Sequence, residues 1–190
     1  MLILVFDTET TGFLHGRLPI GHSDQPKIVQ LAAVLCREDQ TEVMRLDVVI
    51  YQDVVPAEST KAHGLTEEFV KAVGVNEGAA LSLFEDMLSI ADIVVAHNID
   101  YDRKVVTNAV RLLDGTPDTD PFAGKQLFCT MKAATPILKL PRKSGGIKSP
   151  SLTECVKHLL GRDHVTAHTA IGDVLETKNI FFKLQEIVRK

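Results

Sequence analysis

Hydrophobic and polar positions divide the chain into short apolar runs first and helical patterns later. Leu2-Ile3-Leu4-Val5-Phe6 opens the sequence, and residues 2–7 read as a fully buried strand. Residues 28–36 and 43–51 predict two further strands, joined by the polar turn Arg37-Glu38-Asp39-Gln40. Helical spacing follows at about 66–73 and 78–90, then a short buried strand at 92–96. Residues 100–113 again alternate at helical period, a fifth strand is expected near 126–129, and a helix starts around Thr130. After a Pro/Gly/Ser/Lys loop at 141–150, helices at 151–160 and about 169–188 close the chain, with Ser151 and Thr169 as N-caps. Three leading strands followed by alternating helices and strands predict an α/β fold, a mixed sheet flanked by helices in one domain spanning 1–190. The Gly/Pro-containing loop at 13–27 is long for such a domain, and loops of that length are often functional.

Directly behind the first apolar run stands Asp7-Thr8-Glu9-Thr10-Thr11-Gly12. Side chains alternate along a strand, so Asp7 and Glu9 project from one face with Thr8 turned away. Like charges this close repel unless a cation lies between them, and paired carboxylates suit hard ions such as magnesium or manganese. A strand end with two solvated acids before a Thr-Thr-Gly turn has the same local pattern, so discrimination needs other acids converging on the place. In open α/β sheets, sites form beyond the carboxyl ends of strands, where Asp7 and Glu9 lie. His97-Asn98-Ile99-Asp100-Tyr101-Asp102 occupies a second such end, where a helix begins. Asp102 can face the first acids, and spacing alone leaves Asp100 open as the helix cap. Near the end, His168-Thr169-Ala170-Ile171-Gly172-Asp173 sets a loop histidine and an early helical carboxylate beside small residues that permit close backbone approach. An acid favoured by the helix dipole and a surface histidine would look alike.

Charge changes the picture through its distribution. The formal net charge is −4, yet Lys125, Lys132, Lys139, Arg142, Lys143, Lys148, Lys157 and Arg162 fall in one span whose only acid is Glu154. That span carries +7 and the remainder −11, which fits a phosphate track or, equally, a solvated loop. Cys36, Cys129 and Cys155 are odd in number and widely spaced, which excludes a disulfide framework or zinc spacing and predicts buried free thiols. No apolar run approaches the roughly 18 residues of a membrane span and no signal leader is evident, so a cytoplasmic protein without a membrane partner is expected. Tyr51, Tyr101, eight Phe and no Trp give no extensive stacking platform.

Taken in order, the motifs resemble those of the DEDDh subgroup of DnaQ-like exonucleases, the superfamily containing the proofreading subunit of bacterial replicative polymerase. The first is Phe6-Asp7-Thr8-Glu9-Thr10-Thr11-Gly12, the second His97-Asn98 with Asp102, and the third His168-x-Ala170-x-x-Asp173. His63-Gly64-Leu65-Thr66 and Ser151-Leu152 match lesser features, and the resemblance runs from residue 2 to about 182. It implies a ribonuclease H-like fold and metal-dependent 3′–5′ hydrolysis of a terminal phosphodiester, with release of nucleoside 5′-monophosphates. Asp7, Glu9, Asp102 and Asp173 would hold two divalent ions, Mg2+ or Mn2+, with His168 as general base. Thr10, Thr11, Gly12, Phe13, His63 and Asn98 would contact the terminal nucleotide, although Phe13 could equally tuck into the core. The partner implied is nucleic acid with a free 3′ end, DNA in preference to RNA, in proofreading or DNA repair. RNA trimming is the alternative, and a non-catalytic binding module on the same scaffold a lesser one. Gln30 stands where the family often has glutamate, and Ile99 and Tyr101 where it has alanine and phenylalanine. The chain ends soon after its last predicted helix, without the long tail that tethers the proofreading subunit. An enzyme able to act alone is therefore expected, with room for a functional link to a DNA polymerase.

Overall fold

The computed structural model describes residues 1–165 and 167–189. Its sheet has the order β3-β2-β1-β4-β5, with β1 (Leu2–Thr10), β2 (Ile28–Arg37), β3 (Glu42–Val49), β4 (Ile93–Ala96) and β5 (Gln126–Cys129). β1 to β3 form an antiparallel meander, while β4 and β5 run parallel to β1. This is the mixed sheet the pattern predicts. The helices are α1 (Ala57–His63), α2 (Glu67–Val73), α3 (Glu77–Ile90), α4 (Ile99–Asp114), α5 (Thr130–Leu138), α6 (Leu152–Cys155) and α7 (Ala170–Val188).

β1 reads as a continuous apolar run because both of its faces are covered. Leu4 and Phe6 join Leu31, Ala33 and Leu35 of β2 against Phe84 and Met87 of α3 and Val106 of α4. Phe6, Phe84 and Phe122 cluster there, with ring centroids 5.2–6.2 Å apart. On the other face, Ile3, Val5, Ala32, Val34 and Val95 pack against Ala170, Val174 and Phe181 of α7. Odd positions of β1 therefore face α7 and even positions face α4. Asp7 and Glu9 inherit the α7 side, Thr8 and Thr10 the α4 side.

Three expectations change. β1 continues past residue 7 to Thr10, because Asp7, Thr8 and Glu9 pair with Ala32, Leu31 and Gln30 before an irregularity between Glu9 and Thr10. The acids thus sit within the sheet rather than beyond it, next to a bulge of the kind that re-aims side chains. α1 is an unpredicted helix: its sequence AESTKAH carries no apolar stripe, and Gly64 ends it at φ 77°. The helix expected over 151–160 is α6 followed by a π-helical segment, Val156–Leu160.

The 13–27 loop is tied down by Gln25, whose amide donates to the carbonyls of His15 (3.1 Å) and Leu18 (2.9 Å) and accepts from His15 N–H. It docks on α4, where Asn108 accepts from Gly21 N–H at 2.7 Å and Arg111 donates to the Ile20 carbonyl at 3.2 Å. His15 is exposed, and His22 accepts from the Asp24 N–H within the loop. Cys36 and Cys155 are buried free thiols and Cys129 a half-buried one. No helix among the described residues is long and apolar enough to cross a membrane.

Candidate active site

Asp173 reaches the sheet because the start of α7 is pinned there. Thr169 caps that helix, its hydroxyl accepting from Gly172 N–H at 3.3 Å and its carbonyl from Asp173 N–H at 2.9 Å. Gln30, the strand partner of Glu9, accepts from Ala170 N–H at 3.2 Å and donates to Asp47 at 2.8 Å. A glutamate at this position could accept the first bond but not donate the second. With α7 so placed, Asp7, Glu9 and Asp173 each offer an oxygen within 4.8 Å of the other two.

Such proximity is electrostatically unfavourable: at an effective dielectric near 20, each ionised pair costs on the order of 3 kcal/mol. Burial, followed by the charges of Asp102, Asp173 and Glu9, holds the Asp7 carboxyl well above its usual range. Glu9 is pushed up to about 7 by burial and by Asp173 and Asp102.

Asp102 comes from α4, on the opposite side of the sheet, and is almost fully buried. Thr8, turned to that side, holds it: Thr8 N–H and hydroxyl donate to Asp102 Oδ1 at 3.2 and 2.8 Å. Burial raises its pKa to about 7 although the Thr8 bonds favour the charged form. Asp102 therefore adds its charge to the acidic cluster, but one oxygen is committed to Thr8 and the shared three-acid grouping does not include it. Asp100 neither caps α4 nor faces the site. It is exposed and ion-paired to Lys132 at 2.5 Å, while Asn98, left-handed at φ 71°, holds the cap position without a side-chain cap bond.

Two histidines adjoin Asp173. His168 is exposed and left-handed at φ 66°, and its N–H donates to Asp173 Oδ1 at 3.3 Å. His164, which the sequence analysis missed, lies with Nε2 3.2 Å from the same oxygen and its side chain 1% exposed. Burial raises Asp173, and the two imidazoles pull it back down. One turn along α7, Glu176 takes a two-pronged ion pair from Arg162 at 2.6 Å on both arms. No local pattern marks His164, because its burial depends on the path of the loop before α7.

Beside the acids lies a cavity of about 360 Å3 lined by Glu9, the Thr10–Phe13 turn, His63 and Tyr101. That is the small end of the ligand-pocket range. The turn is firmly braced. Thr10 and Tyr101 hydroxyls, 2.7 Å apart, both reach the Gly12 carbonyl at 2.8 Å, and Ser59 donates to the Thr11 carbonyl at 2.8 Å. His63 is buried, its Nδ1 accepting from Leu65 N–H at 3.1 Å, and burial lowers its pKa. Phe13 is 88% exposed at the rim, which rules out a core role. Asn98 is exposed at the start of α4. His97 is a brace, its ring between Thr130 Oγ1 (2.9 Å) and the Pro150 carbonyl (3.1 Å), and burial lowers it to about 4.

The basic span is not one continuous track. Lys125 donates to the Ser89 and Ala91 carbonyls at the end of α3, opposite the acids. Lys132, Lys148 and Arg162 are ion-paired to Asp100, Glu154 and Glu176.

A family model for exonucleases (RNase_T) matches residues 4–181. E. coli exonuclease I in complex with a dT13 oligonucleotide superposes with TM-score 0.77 at 17% identity, covering 99% of this chain and 42% of that one. Its complex with a dA16 oligonucleotide gives 0.75 at 19% identity, covering 97% and 41%. The zinc ion bound form of its complex with ssDNA gives 0.75 at 19%, covering 97% and 40%. The shared feature is the ribonuclease H-like exonuclease fold, and this chain spans about two-fifths of the length of those chains. No curated protein matches the chain.

Proposed function

Because this chain belongs to the RNase_T exonuclease family, we propose that it is a metal-dependent 3′–5′ exonuclease that removes nucleoside 5′-monophosphates from DNA ends. The observation that carries this reading is the convergence of Asp7, Glu9 and Asp173, from the first strand and the last helix, on one spot. Hard oxygen donors whose mutual repulsion a cation would relieve fit magnesium or manganese. Asp7, Glu9 and Asp173, with Asp102 alongside, would hold two such ions. When bound, the ions supply positive charge to the phosphoryl oxygens and lower the pKa of water.

The remaining work falls to the chain's own groups. His168, exposed at the mouth of the cluster, accepts at a ring nitrogen the proton of the attacking water. Water adds to phosphorus, the bond to the 3′ oxygen breaks with its electron pair left on that oxygen, and a proton from solvent makes it the 3′ hydroxyl of the shortened strand. The braced turn of Thr10, Thr11 and Gly12 shapes the cavity for the terminal nucleotide. Phe13 offers its free ring to whichever base arrives, which tolerates all four. His63 and Asn98 flank the same nucleotide. DNA is favoured over RNA because the structurally similar exonuclease I complexes hold dT13 and dA16 strands, and proofreading or repair is the setting such chemistry serves.

The test offers end-labelled single-stranded DNA, duplex DNA, mismatched primer and RNA to the purified protein with magnesium, manganese or chelator. Release of 5′-monophosphates from DNA, abolished by chelator and by Asp7→Ala, is expected. Activity that survives either treatment refutes the assignment, and faster trimming of RNA replaces DNA as substrate.

A further inference from the structure

Between α5 and α6 the chain builds a small hairpin. Pro141 and Ile147 pair across it, Arg142 N–H donates to the Gly146 carbonyl at 2.9 Å, and Lys148 N–H donates to the Leu140 carbonyl at 3.0 Å. Gly145 and Gly146 close the turn at φ 90° and 84°, values that favour glycine. No acid occurs between Asp120 and Glu154. Lys148 is paired to Glu154, but Lys139, Arg142 and Lys143 are exposed and have no ion pair among the described residues.

The hairpin's position is fixed from two sides. The ring of His97 meets the Pro150 carbonyl at 3.1 Å, and a capping box between Ser151 and Glu154 sets the chain beyond it. Val5 of β1 pairs with Val95 of the parallel β4, so His97, just past the end of β4, lies toward the same end of the sheet as Asp7. Pro150, two residues beyond the hairpin, is therefore anchored on the residue that precedes Asn98, at the end of the sheet where the acids lie. The three grouped carboxylates and a remainder of −11 repel a polyanion, whereas this element presents the opposite sign.

We propose that the 139–148 hairpin grips the phosphates of the single strand upstream of the 3′ end, with Lys139, Arg142 and Lys143 as the contacts. The inference rests on the exonuclease reading and names the surface that holds the polymer. Partner identity follows from charge: three unpaired cations beside an acidic cleft match a phosphate backbone.

Lys139→Gln/Arg142→Gln/Lys143→Gln is compared with a control that loses three other cations, Lys71→Gln/Lys157→Gln/Lys183→Gln. Fluorescence anisotropy with labelled dT16 is followed against salt, in a His168→Ala background that slows cutting. Each lost phosphate contact lowers the slope of log affinity against log salt by about 0.7, so the hairpin variant should lose about 2. Cleavage of the p-nitrophenyl ester of thymidine 5′-monophosphate, which has no upstream phosphates, should be unchanged by the hairpin substitutions in the otherwise native protein. An unchanged slope, or an equal loss in the control, overturns the proposal. Failure of the native protein to cleave the ester or DNA overturns the exonuclease reading instead, and the binding slopes still decide the hairpin's role.

Discussion

Replacing Glu9 with glutamine should stabilise the metal-free protein while weakening its grip on metal. A rise of the Glu9 pKa from 4.5 to about 7 corresponds to about 3 kcal/mol of destabilisation once the group is ionised. A carboxyl whose folded pKa exceeds its unfolded one binds extra protons when folded. Its cost is therefore absent below pH 4.5 and complete above pH 7. His97 has the opposite slope: lowered from 6.5 to about 4, it adds stability as pH rises between those values. The absolute pH profile mixes these two with the raised Asp7, Asp102 and Asp173 carboxyls, so the informative quantity is the difference between Glu9→Gln and the native protein. Circular dichroism melts in chelator should show the variant ahead by roughly 6–12 °C at pH 8, since 1 kcal/mol shifts a domain of this size by about 2–4 °C. At pH 4.5 the gap should close. With manganese added at pH 8, the native protein should gain more than the variant. A variant no more stable than native in chelator at pH 8, or equally ahead at both pH values, would refute the reasoning about charge crowding.

Further outcomes follow from single contacts. His168→Ala should lower kcat by about 100-fold or more and leave manganese affinity, read by paramagnetic resonance, within a factor of two. Thr8→Val removes the 2.8 Å hydroxyl bond that favours ionised Asp102, so the acid limb of the pH–rate profile should move to higher pH. Phe84→Ala, in the aromatic cluster with Phe6 and Phe122, should cost about 3–5 kcal/mol in urea unfolding.

The sequence carried the sheet and the acids because both are written in strong local patterns. β2, β4 and β5 fall within a residue of where the apolar runs place them. β1 was cut short because its last three residues are polar, and only pairing with β2 keeps them extended. α1 escaped notice for the converse reason: seven largely polar residues become helical where Ser59 can reach the Thr11 carbonyl. Strand alternation turns Thr8 away from the two acids, and that direction is where Asp102 arrives. His164 and the ion pairs that break up the basic span depend on contacts between distant residues, which periodicity does not register.

Gln30, the modest side chain that ties β2 to the first residue of α7, has a reach beyond its two bonds. The carboxylates it helps to align belong to segments separated by most of the polypeptide, so a chain whose final helix has not docked holds only two of the three grouped acids. The three-acid grouping is therefore complete only once the last helix is seated on the sheet.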